Sequence, residues 1–175
     1  MEQKKNNIIL IGFMGCGKTS VGIKLSYRLK RTFLDTDKQI ERRQGRSIRD
    51  IFAEDGEAAF RRMETDCIKE LLAENGTSMQ IFSTGGGTPV LEENRGLLKK
   101  LGTVVYLKVS PDVVYERLKG DTTRPLLQTE NPRARIEELL AARKDAYESA
   151  ADVIVEVDDK RLEEIVEEIA ALAEA

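Results

Sequence analysis

A short apolar run that leads into a glycine-rich stretch places the strongest constraint on the fold of this chain. The run is Ile8–Ile11, and residues 12–19 after it read GFMGCGKT, which has the spacing G-x-x-x-x-G-K-[ST]. This pattern predicts a β-strand, then a loop whose backbone amides converge on phosphate oxygens, then an α-helix that begins at Lys18. We therefore expect a nucleoside triphosphate site. Its candidate residues are Gly12, Gly15, Cys16, Gly17, Lys18, Thr19 and Ser20.

Three side chains of this loop have expected roles of their own. The ammonium group of Lys18 is expected to reach the β- and γ-phosphates, and the hydroxyl of Thr19 to ligate Mg²⁺. Cys16 is interpreted as a small residue that fits a tight loop, although a thiol at this position is also a candidate for alkylation.

The composition excludes several classes of function. The chain has no histidine, so we expect any general base to be a carboxylate and any metal ligand to be an oxygen. The net charge of −3 argues against a nucleic-acid partner. No apolar run approaches the roughly 20 residues that span a membrane, and the first residues lack the apolar core of a signal peptide. With only two cysteines, Cys16 and Cys67, we expect a cytoplasmic protein without a disulfide framework.

Apolar runs that alternate with amphipathic segments predict an α/β protein, with a parallel sheet covered by helices on both faces. Five strands are expected, at 8–11, 32–35, 79–83, 103–109 and 153–155. Helices are expected at 18–31, 38–43, 57–74, 92–100 and 133–149, after Ser110-Pro111 and at 162–172, with a helical turn after Ser47. No linker or repeat divides residues 1–175, so we expect a single domain. Ligands of such sheets bind beyond the carboxyl ends of the strands.

Residues 120–132 lack apolar periodicity, and we interpret them as a mobile lid. Arg124 lies in this segment and is a candidate to stabilise the charge of a transferring phosphoryl group when the lid closes. The alternative is a solubilising charge in an exposed loop, although Leu126 and Leu127 beside it require an apolar surface to contact.

Two carboxylates, Asp35 and Asp37, occupy alternate positions at the end of the second strand. One could hold Mg²⁺ through water, and the other could orient or deprotonate an acceptor hydroxyl. The alternative is a solvated turn in which Asp37 is the N-cap of the next helix.

Three consecutive glycines, Gly85, Gly86 and Gly87, follow the third strand. Such a run is entropically costly, which favours close approach of the backbone to a ligand over an ordinary tight turn.

Arginines on two predicted helices are candidates to bind an anionic substrate. Either Arg61 or Arg62 could bind a carboxylate bidentately, or both could be exposed. Arg143 and Tyr147 share one face of a later helix, and their spacing does not decide whether they face the site or the core.

Taken together, these motifs resemble the shikimate kinase family from Ile8 to about Lys160. The resemblance rests on five motifs in the same order, of which the first is shared by a large superfamily and the other four are specific in combination. They are GFMGCGKTS at 12–20, LDTD at 34–37, FRRME at 60–64, TGGG at 84–87 and RPLL at 124–127.

The resemblance implies a P-loop kinase fold and transfer of the γ-phosphoryl group of ATP to the 3-hydroxyl of shikimate, with Mg²⁺. It implies that a helical region at about 37–64 binds shikimate and that residues near 158–160 lie against the adenine. On the ATP side, the resemblance implies that Lys18 and residues 15–17 bind the phosphates, that Thr19 and Asp35 hold the metal, and that Arg124 lies over ATP in the closed lid.

On the acceptor side, the resemblance implies that Asp37 binds the shikimate hydroxyls and acts as the base. It implies that Arg61, Arg143 and the glycine amides bind the shikimate carboxylate and ring.

Two other classes of protein share the phosphate-binding loop. A regulatory GTPase also needs an Asn-Lys-x-Asp motif, which this sequence lacks. A gluconate-type kinase has a similar loop and lid, but it is not expected to combine Phe60-Arg61-Arg62 with three glycines. We expect a monomer whose partners are ATP and shikimate, without a nucleic acid or a membrane.

Overall fold

The computed structural model describes residues 6–74, 79–124 and 128–175. Its strands form a parallel sheet in the order β2-β3-β1-β4-β5, so the predicted five-stranded parallel sheet is confirmed. The strands are Ile8–Ile11 (β1), Thr32–Asp35 (β2), Gln80–Ser83 (β3), Thr103–Lys108 (β4) and Val153–Glu156 (β5).

Helices cover both faces of this sheet, as the alternating sequence pattern predicts. The helices are Lys18–Leu29 (α1), Thr36–Gln44 (α2), Ile48–Asp55 (α3), Glu57–Glu74 (α4), Glu92–Leu101 (α5), Pro111–Leu118 (α6), Pro132–Ala150 (α7) and Leu162–Glu174 (α8), with a 3₁₀ turn at Thr88–Val90. α1 and α8 pack together on one face, while α4, α5 and α7 form the layer on the other. None of the helices in the described ranges is long and apolar enough to cross a membrane.

The central position of β1 determines where the ligand site forms. Ile9, Leu10 and Ile11 are fully buried, as expected for a parallel strand covered on both faces. β1 pairs with β3 on one side and β4 on the other, and Asp35 of β2 lies in register with Ser83 of β3. The glycine-rich loop, the acids after β2 and the glycines after β3 therefore leave the same edge of the sheet.

Three local features differ from the sequence-based expectation. α2 begins at Thr36 and not at Lys38, because the Asp35 carboxylate accepts hydrogen bonds from the backbone amides of Asp37 (2.9 Å) and Lys38 (3.4 Å). Ser47 caps α3 as expected, but α3 is a full helix and not a single turn. The 3₁₀ turn after the glycines is unpredicted. The expected helix end at Asn75-Gly76 lies outside the described residues, as do Leu126 and Leu127 of the expected lid.

α1 approaches the sheet closely at one glycine. A Cβ atom added to Gly22 would lie 2.8 Å from Cδ2 of Phe33 on β2 and 3.0 Å from Cζ of the same ring. Gly96 in α5 is the opposite case, because a Cβ atom added there would have no neighbour within 4 Å.

This contrast gives a matched pair of alanine substitutions. We expect Gly22→Ala to destabilise the fold by about 1–3 kcal/mol, because the methyl group forces the Phe33 ring away from α1. Gly96→Ala should stabilise it by about 0.5–1 kcal/mol through helix propensity alone. Urea unfolding of both variants measures the difference, and equal effects would contradict the close packing.

Candidate active site

The glycine-rich loop curves around the ammonium group of Lys18. Lys18 Nζ donates hydrogen bonds to the carbonyl oxygens of Gly12 (2.7 Å) and Phe13 (3.2 Å). Gly15 and Gly17 have φ values of 79° and 100°, in the left-handed region that favours glycine, and Gly17 is the N-cap of α1. The loop therefore has the backbone conformation that the motif predicts.

The sides of the loop are held by the protein interior and by a helix. Cys16 is buried, and a Cβ atom added to Gly12 would lie 2.8 Å from Cys16 Sγ, which agrees with its interpretation as a small filling residue. Arg117 at the end of α6 donates from Nη1 to the Gly15 carbonyl at 2.8 Å. Sequence reasoning missed Arg117, since no motif marks it. Thr19 and Ser20 are exposed in the first turn of α1.

The glycines after β3 lie directly against charged side chains from other elements. A Cβ atom added to Gly85 would be 2.8 Å from Oδ1 of Asp37, and one added to Gly87 would be 2.6 Å from Cζ of Arg61. Any side chain at either position would push the charged group away. The glycine turn, defined as residues 85–87, therefore contacts two of the predicted substrate-binding residues.

The middle glycine joins this turn to α7 and to the phosphate-binding loop. A Cβ atom added to Gly86 would be 3.5 Å from Arg143 Nη1 and 3.6 Å from the Gly12 carbonyl oxygen. The Tyr147 hydroxyl donates to the Gly86 carbonyl at 2.6 Å, and the Arg143 guanidinium lies 5.7 Å from the centre of the Phe13 ring. The face of α7 that carries Arg143 and Tyr147 thus lies against the site, which their spacing alone left open.

One of the two neighbouring arginines on α4 faces this site. Arg61 Nη1 forms an ion pair with Glu64 Oε1 at 2.5 Å, and Glu64 is 2% exposed. The other Glu64 oxygen accepts a hydrogen bond from the Thr88 hydroxyl. Arg62 is exposed. The structure therefore shows that Arg61 faces the site and Arg62 does not, a distinction that their sequence spacing left open.

The two acids after β2 have different surroundings. Asp35 is the N-cap of α2, so the alternative in which Asp37 caps that helix is wrong. Asp37 lies in the first turn of α2, with its Oδ1 atom buried and without a hydrogen-bond partner in the described part of the chain. An unpartnered, buried carboxylate oxygen next to the glycine turn is available to a ligand.

The surroundings of Asp37 also change its acidity. Burial raises the pKa of its carboxyl group from 3.8 to about 7, and the nearby carboxylates of Asp35, Glu64 and Glu41 act in the same direction. The Lys18 ammonium opposes them by favouring the charged form. Asp37 therefore has a pKa suited to accepting a proton near neutral pH.

Arg124 is not brought onto the loop in this structure. It pairs with Asp121 in its own segment, with Nε 3.5 Å from Oδ2, and its side chain is 43% exposed. Among the described residues it makes no hydrogen bond to the phosphate-binding loop, so its expected role stays a prediction.

The oxygen ligands expected for Mg²⁺ fit that ion in kind and number. The Thr19 hydroxyl is exposed at the start of α1, and one oxygen of Asp35 is taken up by capping α2, which leaves the other carboxylate oxygen. The described residues contain no cluster of three or more metal-ligating His, Cys, Asp or Glu side chains. Mg²⁺ commonly uses one or two protein oxygens together with waters and substrate phosphates, which agrees with this arrangement.

A glycine-rich phosphate loop beside a buried carboxylate and two arginines is the arrangement expected of a P-loop phosphotransferase. The shikimate kinase family model matches residues 14–174. A shikimate kinase from Thioalkalivibrio sulfidiphilus is 44% identical over 164 residues, covering 94% of this chain and 85% of that protein. The chain therefore belongs to the shikimate kinase family. It is an ATP-dependent kinase with an alcohol acceptor, and it uses ATP with Mg²⁺.

Comparison with solved structures supports the same family. The structure of shikimate kinase from Acinetobacter baumannii in complex with shikimate superimposes with a TM-score of 0.88 at 38% identity, covering 98% of this chain and 93% of that one. A gluconokinase from Sinorhizobium meliloti reaches a TM-score of 0.59 at 20% identity, covering 98% and 96%, and this likeness extends to the fold alone. The expected P-loop kinase fold is confirmed.

The raised pKa of Asp37 makes the stability of the protein depend on pH. Because the folded state retains a proton that the unfolded chain has lost, the Asp37 contribution to stability should fall as pH rises from about 4 to about 7. Asp37→Asn removes the buried charge, so we expect it to raise the melting temperature at pH 8 far more than at pH 4.

A scan of melting temperature against pH for the ligand-free protein measures this effect. Asp66→Asn is the control, because Asp66 is an exposed carboxylate on α4. If Asp37→Asn and Asp66→Asn give the same gain at pH 8, Asp37 is not the group responsible.

Proposed function

We propose that the chain transfers the γ-phosphoryl group of ATP to the 3-hydroxyl of shikimate, giving shikimate 3-phosphate and ADP. The observation that carries this proposal is the glycine turn, which contacts a carboxylate and two guanidinium groups within reach of the phosphate-binding loop. Shikimate carries one carboxylate and several hydroxyls, so it matches two cationic groups and one acidic group. Family membership supports the same acceptor.

The acceptor would be held by charge and oriented by hydrogen bonds. Arg61 on α4 and Arg143 on α7 both reach the glycine turn, and together they would bind the acceptor carboxylate. Asp37 would accept a hydrogen bond from the hydroxyl that reacts. Since the glycine turn contacts all three residues, the distances among them would depend on its backbone.

Transfer requires a proton acceptor and a cation at the phosphates. As the acceptor oxygen bonds to the γ-phosphorus and the bond from that phosphorus to the β–γ bridging oxygen breaks, the hydroxyl proton would pass to the Asp37 carboxylate. Lys18, whose ammonium group lies over the loop, would stabilise negative charge on the transferring group. Thr19, and Asp35 through water, would hold Mg²⁺, which would neutralise phosphate charge when bound.

We also propose one domain with two specialised regions. α2, α3 and α4 contact one another, which supports a shikimate-binding region at about 37–64. The described residues between α6 and α7 have no regular secondary structure, which supports a lid at about 120–132. Closure of such a lid would carry Arg124 from Asp121 to the phosphates and would exclude water.

A cytoplasmic monomer is the assembly that we propose. Cys16 and Cys67 are both free thiols and both buried, which agrees with a reducing compartment where ATP is present. Light scattering across a range of protein concentrations would test the oligomeric state.

The acceptor assignment is tested by ADP release from Mg-ATP in the presence of shikimate, gluconate, a nucleoside monophosphate or water alone. We expect a response to shikimate only. A comparable rate with gluconate would favour the gluconate-type alternative.

Arg61 and Arg62 provide a matched pair on one helix. We expect Arg61→Ala to raise the KM for shikimate by about 10- to 100-fold, because one charge-assisted contact contributes about 1.5–3 kcal/mol. The KM for ATP should change little. Arg62→Ala is the control, since Arg62 is exposed, and it should leave both constants unchanged. An effect of Arg61→Ala on ATP alone would refute the assignment.

A further inference from the structure

Beneath the glycine turn lies a buried polar cluster for which the proposed reaction gives no direct role. It consists of Glu64 and Thr65 on α4, Thr88 in the 3₁₀ turn and Asn94 on α5, and we call it the Asn94 network. The exposed fractions of these residues are 2%, 6%, 2% and 0%. Burying polar groups costs free energy unless they are hydrogen-bonded, so their arrangement requires an explanation.

Asn94 is the centre of this network. Its amide nitrogen donates to the Thr88 carbonyl at 3.0 Å, and its amide oxygen lies 2.8 Å from the Thr65 hydroxyl. The same hydroxyl lies 3.2 Å from the Arg61 carbonyl oxygen. Asn94 therefore links α5 to both α4 and the 3₁₀ turn.

Both ends of the network continue into the substrate site. On the α4 side, the Glu64 carboxylate binds the Arg61 guanidinium at 2.5 Å and the Thr88 hydroxyl. On the other side, the backbone amide of Thr88 donates to the Gly85 carbonyl at 3.1 Å. The Asn94 contacts thus connect the arginine that binds the acceptor with the backbone of the glycine turn.

We propose that Asn94 is a positioning residue for the acceptor site, which rests on the function proposed above. By holding Thr88 and Thr65 together, it sets the separation between α4 and the glycine turn. That separation determines where the Arg61 guanidinium lies relative to Gly87 and Asp37. Asn94 does not itself contact the acceptor, and it acts only through Arg61 and the turn.

The chain offers a matched control for Asn94. Asn7 is also a buried asparagine, 1% exposed, whose amide donates to the Leu101 carbonyl at 2.8 Å and accepts from the Gln80 backbone amide at 2.9 Å. It precedes β1, whereas the site lies beyond the carboxyl end of that strand. Alanine at either position removes a buried side-chain amide and its two hydrogen bonds to other elements. Of the two asparagines, only Asn94 adjoins the site.

Steady-state kinetics distinguish positioning from a general loss of stability. We expect Asn94→Ala and Asn7→Ala to lower the melting temperature by similar amounts. Only Asn94→Ala should raise the KM for shikimate, by about tenfold or more, with the KM for ATP within about twofold of wild type. Equal KM values for shikimate in the two variants would overturn the proposal, and so would an equal rise in the KM for ATP.

A second pair of variants covers the case in which Asn94→Ala does not fold. Thr65→Val removes the hydroxyl that bonds to Asn94 while keeping the shape of the side chain, and Thr65→Ser keeps the hydroxyl. We expect Thr65→Val to raise the KM for shikimate, and Thr65→Ser to restore most of the difference. Identical constants for these two variants would contradict a role for the hydrogen bond.

A spectroscopic measurement separates this proposal from the identity of the acceptor. The Nε–H resonance of Arg61, assigned by its loss in Arg61→Ala, should shift in Asn94→Ala and stay in place in Asn7→Ala. An unmoved resonance would overturn the positioning role, whatever the acceptor is. If the wild-type enzyme fails to phosphorylate shikimate while the resonance still shifts, the proposed function fails and the positioning of Arg61 by Asn94 stands.

Discussion

The contact of charged side chains with the glycine turn is the constraint on which the rest of the site depends. Asp37, Arg61 and Arg143 come from three helices, and the first two reach the turn only where Gly85 and Gly87 lack a Cβ atom. Thr84, the residue before the turn, ties it to β1, because the Thr84 backbone amide donates to the Leu10 carbonyl at 3.2 Å. Acceptor and donor halves of the site therefore share one backbone connection.

The acidic side chains of the site differ in what binds them. The helix amides at the start of α2 bind Asp35, and Arg61 with Thr88 binds Glu64. Asp37 has no partner for its buried oxygen among the described residues, and burial raises its pKa to about 7. Partnered carboxylates stabilise local structure, whereas the unpartnered one is left free to exchange a proton. This difference supports the separate roles that we propose for Asp35 and Asp37.

Much of the fold could be predicted from the sequence, because its strands and helices follow from local periodicity and capping. The strand at 8–11, the loop after it and the helix that begins at Lys18 all lie where the pattern predicts. The start of α2 was misjudged because a carboxylate at the strand end caps the helix earlier than expected. Neither the 3₁₀ turn nor the order of the strands could be predicted from local sequence, because both depend on contacts with distant segments of the chain.

The sequence by itself determined the donor half of the site, because the phosphate-binding loop is one contiguous segment whose glycines dictate their own backbone. The acceptor half was decided by tertiary structure. The spacing of Arg61 and Arg62 does not show which of them meets the glycine turn; the family resemblance points to Arg61, and the packing of α4 places Arg61 there. Tyr147 lies 61 residues from the Gly86 carbonyl to which it donates. Asn94 and Arg117 belong to no motif. Their contacts join helices to loops, and such contacts form only when the packed sheet brings distant parts of the chain together.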